Sequence, residues 1–443
     1  MTTKNKYLSS LPGRLYAATG PVLAGLYVSY RTLRGNDEAF FWDGRRWSAE
    51  RGVSLPEPRI LFHGASVGEI TGILPVIKSL NEMGFSGSVI ISTGTPAGFR
   101  RVKALAEDKV LAVPAPFDVL PAVANFLNSL KPSLYVLFEA DYWPATILSL
   151  AERSIPAVLC NGRISSPSFR LYRLCGGLFR GVFSHFSWMG MVHERDRTRA
   201  ISLGADFQRV EVVGSTKYDL LAEQVGRLSE VYKKWKGLLP VADGVPVMVA
   251  GSLRGQECRA FAELAVDLFA EFAELVCILA PRHGKRVSEL ERECARAGVP
   301  ARRLSAYLNP RCGSLDREDE IRRQIIIVDT VGHLFELYSL ADLAFCGGTF
   351  EKIGGHNIVE PVVWGCPVIF GPHVFKVSRE ADLLEKAGAG IRVENLSELY
   401  SAVKAALKGL HRRKIDEAVV HALMGELAGV SKICAARIME ILS

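Results

Sequence analysis

The run Leu343-Ala344-Phe345-Cys346-Gly347-Gly348, followed by Gly354-Gly355-His356-Asn357-Ile358-Val359-Glu360-Pro361, carries the reading of this chain. An apolar run reads as a buried strand, and the second stretch reads as the opening of the helix behind it. Glycines let the backbone approach a bound group closely, because no Cβ intervenes. The free N–H groups of a helix start favour a phosphate. Glu360 is expected one turn further on, where a carboxylate accepts hydrogen bonds from the paired hydroxyls of a ribose. A phosphate cradle followed by a ribose-reading acid points to a nucleotide. The alternative is a Gly-rich turn with a structural carboxylate.

Outward from this point, strands and helices alternate. In the first half the predicted strands are 59–63, 88–92, 134–138, 157–161 and 210–214. In the second they are 247–250, 276–279, 324–328, 343–346 and 367–370. Such alternation implies parallel sheets covered by helices, and the 443 residues suit two doubly wound domains. The break falls in the polar segment 221–236 and the loop 239–246. Ligands of such sheets bind beyond the carboxyl ends of the strands, so two facing domains imply a crevice between them. The expected division is an N-terminal segment 1–35, a first domain 36–225, a second domain 240–410 and a C-terminal helix 411–443.

Composition excludes several classes. With 49% hydrophobic and 23% charged residues the chain builds ordinary cores. A net charge of +7 and a pI near 8.9 fit an anionic substrate or an anionic membrane surface. Nucleic acid is not expected, since the basic residues are dispersed and no binding motif occurs. Nine cysteines without a CxxC pair read as reduced, buried thiols of a cytoplasmic protein. The apolar stretch 15–28, between Arg14 and the pair Arg31 and Arg34, reads either as a monotopic membrane anchor or as a helix on the protein's own body. There is no P-loop, HExxH or GxGxxG motif.

Candidate site residues lie just past the predicted strands. In His63-Gly64-Ala65-Ser66-Val67-Gly68-Glu69, Ser66 and Glu69 stand at capping-box positions. Glu69 is therefore either a helix cap or a general base for an acceptor hydroxyl. Glu139 and Asp141, in Phe138-Glu139-Ala140-Asp141-Tyr142-Trp143-Pro144, either bind substrate or sit at a helix start. Lys217 offers a cation to a phosphate or carboxylate, or is simply solvated. In the second half, Gly251-Ser252-Leu253-Arg254, Pro281-Arg282-His283 and Asp329-Thr330-Val331-Gly332-His333-Leu334 repeat the strand-to-turn arrangement. Together with the 354–361 segment, these turns are consistent with one nucleotide pocket.

The motifs HGASVGE, STGTPAG, EADYWP, NGRISS, GSTKYD, AGS, APRH, DTVGHL, GGTF and GGHNIVEP occur in this order between residue 63 and residue 361. The chain resembles the 3-deoxy-D-manno-octulosonic acid (Kdo) transferases of lipopolysaccharide synthesis, from about residue 15 to the C-terminus. The resemblance implies an α/β GT-B glycosyltransferase of two Rossmann-like domains facing a cleft, held by its N-terminus at the cytoplasmic face of the inner membrane. It implies CMP-Kdo as donor, a tetraacylated lipid A precursor (lipid IVA) as acceptor, and no cofactor or metal. By that likeness Glu69 is the proton acceptor, and Glu139, with Asp141 nearby, and Lys217 stabilise the transition state. Ser66 belongs with the substrate-binding residues. CMP contacts fall to Pro281, Arg282, Val331, Gly332, His333, Asn357 and Glu360. The chain departs from the family pattern at His333, where an acid is usual, at Ala145, where Asn is usual, and at Asp141, where Glu is usual. Another GT-B enzyme acting on a UDP- or GDP-sugar, an epimerase included, and a non-catalytic binding protein are the competing expectations.

Overall fold

The computed structural model describes residues 54–105, 110–308, 321–409 and 414–443, together with Gly13, Arg14, Tyr16, Ala18, Thr19, Phe41, Gly44, Arg45, Arg46 and Trp47. Apart from the five residues between 13 and 19, the expected N-terminal anchor segment lies outside the described residues. The chain divides into two units. One comprises residues up to Leu220 plus Ala428–Ser443, and the other Leu221–Leu427.

The N-terminal unit is built on seven parallel strands: β1 (Arg59–His63), β2 (Ser88–Thr93), β3 (Val110–Pro114), β4 (Leu134–Phe138), β5 (Ala157–Gly162), β6 (Phe186–Met191) and β7 (Val210–Val212). Their spatial order is β3-β2-β1-β4-β5-β6-β7. The central strands are apolar throughout because helices cover both faces of a parallel sheet. Alternation divides their side chains between two cores. Ile60, Phe62, Leu134, Val136 and Phe138 enter one, and Leu61, Tyr135 and Leu137 enter the other. The helix after β1, α1 (Val67–Glu82), lies so close to the sheet that a Cβ on Gly72 would stand 2.7 Å from the Phe138 ring.

The C-terminal unit carries a second parallel sheet: β8 (Val247–Leu253), β9 (Val276–Pro281), β10 (Ala301–Arg303), β11 (Gln324–Ile327), β12 (Leu343–Cys346), β13 (Val368–Phe370) and β14 (Gly390–Arg392). The order is β10-β11-β9-β8-β12-β13-β14. Met248, Ala250, Cys277, Leu279, Ile325, Ile327 and Phe345 point into one core beneath α2 (Glu257–Glu271). Each sheet reverses its winding at one place, between β1 and β4 in the first and between β8 and β12 in the second. In open α/β sheets that is where the crevice forms.

Three expectations need correction. The 354–361 segment does open a helix, but of one turn only, Glu360–Val363, and Glu360 is its first residue rather than one turn further on. A single turn sums too few peptide dipoles to hold an anion by itself. The second unit begins at Leu221, so the helix Leu228–Leu238 belongs to that unit and is not a linker. The C-terminal helix is two helices, α3 (Glu417–Leu427) and α4 (Val430–Leu442), separated at Gly429, whose φ of +89° suits glycine. Four further strands were not expected: β10 and β14 are three residues long, β6 carries Ser187 and Gly190, and β3 is an apolar run that ends on Pro114.

α4 folds back onto the N-terminal unit. Val430, Cys434, Ala435 and Ile438 complete the core on the α1 side of that sheet. Its N-terminus is held by Asp219, which accepts hydrogen bonds from Gly429 N and, at 2.9 Å, from Ser431 N. Among the described residues Glu417–Leu442 is the one stretch long and apolar enough to cross a membrane. The apolar face of α4 is spent on this core. Loss of a capping acid costs about 0.5–2 kcal/mol. Asp219→Ala is expected to destabilise the N-terminal unit by about that amount and to speed proteolysis near Ala428. Cleavage no faster than in wild type would exclude the clasp.

Candidate active site

In the N-terminal unit the side chains of interest gather at the β1/β4 reversal. Ser66 caps α1. Its Oγ accepts a hydrogen bond from Glu69 N at 3.3 Å and donates to Glu69 Oε1 at 2.8 Å. Glu69 Oε2 accepts from Ala65 N at 2.7 Å. The two readings of Glu69 are thus one geometry, in which the cap holds the carboxylate. An ionised carboxylate has about four acceptor positions, and these bonds occupy two. Glu69 stays partly exposed, so two positions remain open. Burial pushes its pKa up, the Ala65 and Ser66 bonds oppose that, and the charges of Glu139 and Asp141 add to the rise. A base whose pKa is raised lies closer to the pH at which it works.

Glu139 follows β4 directly with φ +70°, and Asp141 has φ +71°. Left-handed backbone at non-glycine residues costs on the order of 1–2 kcal/mol each. Here it is held by Glu139 N donating to Cys160 O at 2.9 Å and Arg163 N donating to Glu139 O at 2.9 Å. The strain turns two acids to one edge of the sheet. Glu139 Oε1 stands 3.4 Å from Arg163 Nε and 3.5 Å from Lys217 Nζ. Lys217 opens the helix Lys217–Ala222, whose Asp219 is the clasp of α4. Asp141 Oδ2 lies 3.7 Å from His63 Nε2, while His63 Nδ1 meets Ser92 Oγ at 3.0 Å. Burial works to raise the Asp141 pKa, but His63, a hydrogen bond with Trp143 and the Arg45 charge outweigh it, and the net shift is downward. Asp141 therefore stays ionised where Glu69 is pushed toward protonation. Divergent pKa values in neighbouring carboxylates are the usual sign of divided roles.

In the C-terminal unit the β8/β12 reversal collects a cationic group. Arg254 Nε donates to His356 Nε2 at 2.9 Å, which makes His356 an acceptor there. Burial, then Arg254, Arg282, Lys376 and His283, depress the His356 pKa to about 4, so its imidazole is neutral at physiological pH. Among the described residues, neither Arg254 nor Arg282 forms an ion pair with a carboxylate. Gly354 and Gly355 have φ values of +96° and +85°, and Gly355 N donates to Gly348 O at 3.0 Å. Asn357 Nδ2 donates to Glu360 Oε1 at 3.2 Å. Burial raises Glu360 to about 7, against the Asn357 bond and the Arg282 charge.

Other sequence-derived candidates are placed less centrally. Pro281 ends β9. Val331 is 98% exposed, and Gly332 makes the turn with φ +92°. His333 Nδ1 meets Thr330 Oγ1 at 2.8 Å, and its ring lies edge-on to Trp235 at 5.5 Å. Its imidazole is thus already engaged. Asp329 caps the earlier helix Leu304–Leu308 by accepting from Ser305 N at 2.9 Å. Sequence reasoning gave no role to Arg163 or His356, although both stand inside quoted motifs. It passed over Glu257 altogether.

The sequence profile described as 3-deoxy-D-manno-octulosonic-acid transferase (kdotransferase) matches residues 42–220. The chain is 31% identical over 337 residues to a 3-deoxy-D-manno-octulosonic acid transferase of Chlamydophila psittaci, covering 75% of this chain and 74% of that protein. The chain belongs to the Kdo transferase family. It is 28% identical over 366 residues to the Haemophilus influenzae 3-deoxy-D-manno-octulosonic acid transferase, covering 82% of each. A glycosyltransferase from Rickettsia africae shares the fold, with a TM-score of 0.58 at 15% identity over 87% of this chain and 98% of its own. The UDP-GlcNAc 2-epimerase of Neisseria meningitidis aligns with a TM-score of 0.57 at 14% identity, over 87% and 99%. This Kdo transferase family member is a glycosyltransferase built of two Rossmann-like units.

Proposed function

We propose that the chain transfers Kdo from CMP-Kdo to the lipid A precursor lipid IVA, in one inverting displacement. The observation that carries this reading is the Glu69 carboxylate, held by its own helix cap with acceptor positions to spare. Glu69 takes the proton of an acceptor hydroxyl as that oxygen bonds to the anomeric carbon. The bond from that carbon to the CMP phosphate oxygen breaks, and CMP leaves with the electron pair. Lys217 and Arg163, paired with Glu139, place positive charge beside the acids and balance the charge that develops at the reaction centre. Arg254 and Arg282 suit the monophosphate through planar forks, and Glu360 with Asn357 suits the ribose. A leaving monophosphate met by guanidinium groups needs no metal. Glu139 is engaged by Arg163 and Lys217 and Asp141 by His63, which leaves Glu69 as the partly open carboxylate of the cluster and supports inversion over a glycosyl-enzyme intermediate. Val331, Gly332 and His333 contribute to the CMP site through backbone. The arginine-flanked stretch 15–28 holds the enzyme at the cytoplasmic face of the inner membrane.

Incubation of the protein with CMP-Kdo and lipid IVA is expected to add the mass of one or more Kdo residues. CMP, but not UDP, is expected to compete. Competition by UDP alone, with no mass added from CMP-Kdo, would favour a UDP-sugar enzyme and end this reading.

A further inference from the structure

Glu257 is the first residue of α2 and only 3% exposed, yet among the described residues it has no cationic partner within ion-pair distance. A buried carboxylate without such a partner is costly unless hydrogen bonds satisfy it. Here backbone amides do so. Glu257 Oε1 accepts from Gly348 N at 3.0 Å, Thr349 N at 3.2 Å and Phe350 N at 3.1 Å. Oε2 accepts from Gly348 N and from Arg254 N, each at 2.8 Å. Burial raises its pKa, and these four amides oppose the rise. Successive N–H groups converging on one point form a nest, a concavity that in other proteins receives a phosphate or other anion. In this chain the nest is filled from within.

The filled nest connects the parts of the β8/β12 site. Gly347 cannot carry a side chain, because a Cβ there would stand 2.6 Å from Ser252 O, so β8 and the 347–350 turn are in direct contact. Thr349 Oγ1 donates to Cys346 O at 2.7 Å and accepts from Gly371 N at 2.8 Å. Gly348 O receives Gly355 N. Glu257 thereby fixes the backbone of Arg254 on one side and the turn that supports Gly355 on the other. The Arg254–His356 bond closes the ring between them.

We infer that Glu257 is a positioning residue for the donor half-site. Its carboxylate occupies the amide nest after β12 and so sets Arg254 and the 354–357 segment in the arrangement that receives the donor's phosphate. This role rests on the donor reading above. It also predicts that the phosphate binds outside the nest, on the guanidinium groups.

The test is CMP binding by calorimetry to the full-length protein and to Glu257→Gln and Glu257→Ala, with amide exchange read at Gly348, Thr349 and Phe350. Both variants are expected to bind CMP at least tenfold more weakly. Acetate is expected to restore part of the affinity and exchange protection of Glu257→Ala, because the small anion refills the nest. A merely structural loss would not respond to acetate. CMP affinity equal to wild type in both variants would overturn the positioning role alone. Wild-type protein that fails to bind CMP would overturn the donor reading and this role with it. Should neither variant fold, the wild-type exchange decides. Slow exchange at the three amides that CMP leaves unchanged supports the filled nest, and new protection on adding CMP overturns it.

Discussion

Glu69→Gln is expected to keep CMP affinity and thermal stability while losing about 10²- to 10⁴-fold in transfer rate, the usual contribution of a positioned general base. The amide replaces the carboxylate at equal size. Its oxygen still accepts from Ala65 N, and its NH2 group donates to Ser66 Oγ, so the cap survives with both bonds. What is lost is the ability to take a proton. Glu69→Ala removes cap and base together and so cannot separate them. Near-normal turnover by Glu69→Gln would leave the side chain with capping alone. The wild-type rate should fall as pH drops through the raised Glu69 pKa, since a protonated carboxyl cannot serve as base. Asp141, shifted the other way by His63, stays ionised across that window and does not mask it.

Cytidine binding is expected to weaken as pH falls through about 7, following the titration of Glu360. The nucleoside is the right probe because the phosphate of CMP has its own proton near pH 6. Burial lifts Glu360 to about 7, with Asn357 and Arg282 opposing. Above that pH the carboxylate accepts from the ribose hydroxyls. Below it the group is a neutral acid and a poorer acceptor. Hydrogen bonds to a charged group are worth about 1.5–3 kcal/mol, so affinity should change by roughly tenfold to a hundredfold. Tyr338 and Cys346, whose charges couple to Glu360, are pushed upward by burial and away from this window. Glu360→Gln should bind weakly and without this pH dependence. Its stability should also lack the wild-type decline as pH rises toward 7, because a folded-state pKa above the unfolded value means that folding favours the protonated form. Cytidine affinity that is flat from pH 6 to 8 in wild type would remove Glu360 from the ribose site.

Much of this arrangement was legible in the chain. The strands 59–63, 134–138 and 343–346 appear at the expected residues because a strand buried on both faces is apolar throughout, a pattern with few rivals. The capping box at Ser66 and Glu69 is local, so its geometry followed from spacing. Gly354 and Gly355 take the left-handed backbone that glycine permits. The one-turn helix at Glu360 was misread because Pro361 is as acceptable at the start of a short helix as of a long one. The strands β10 and β14 escaped because three-residue strands at the sheet edges carry little periodic signal.

By itself the sequence determined the class of fold, the family, and the residue types at each strand end, since these rest on periodicity and on motifs within a few positions. The tertiary structure alone decided which groups meet. Glu257 and Gly348 are 91 positions apart, Arg254 and His356 are 102, and Asp219 and Gly429 are 210. An amphipathic helix such as α4 states that it has a face to bury but not which sheet will cover it. A carboxylate likewise does not state whether its partners will be cations, a substrate or backbone amides. Those choices depend on the order in which parallel strands assemble, which brings distant loops to the same edge of each sheet.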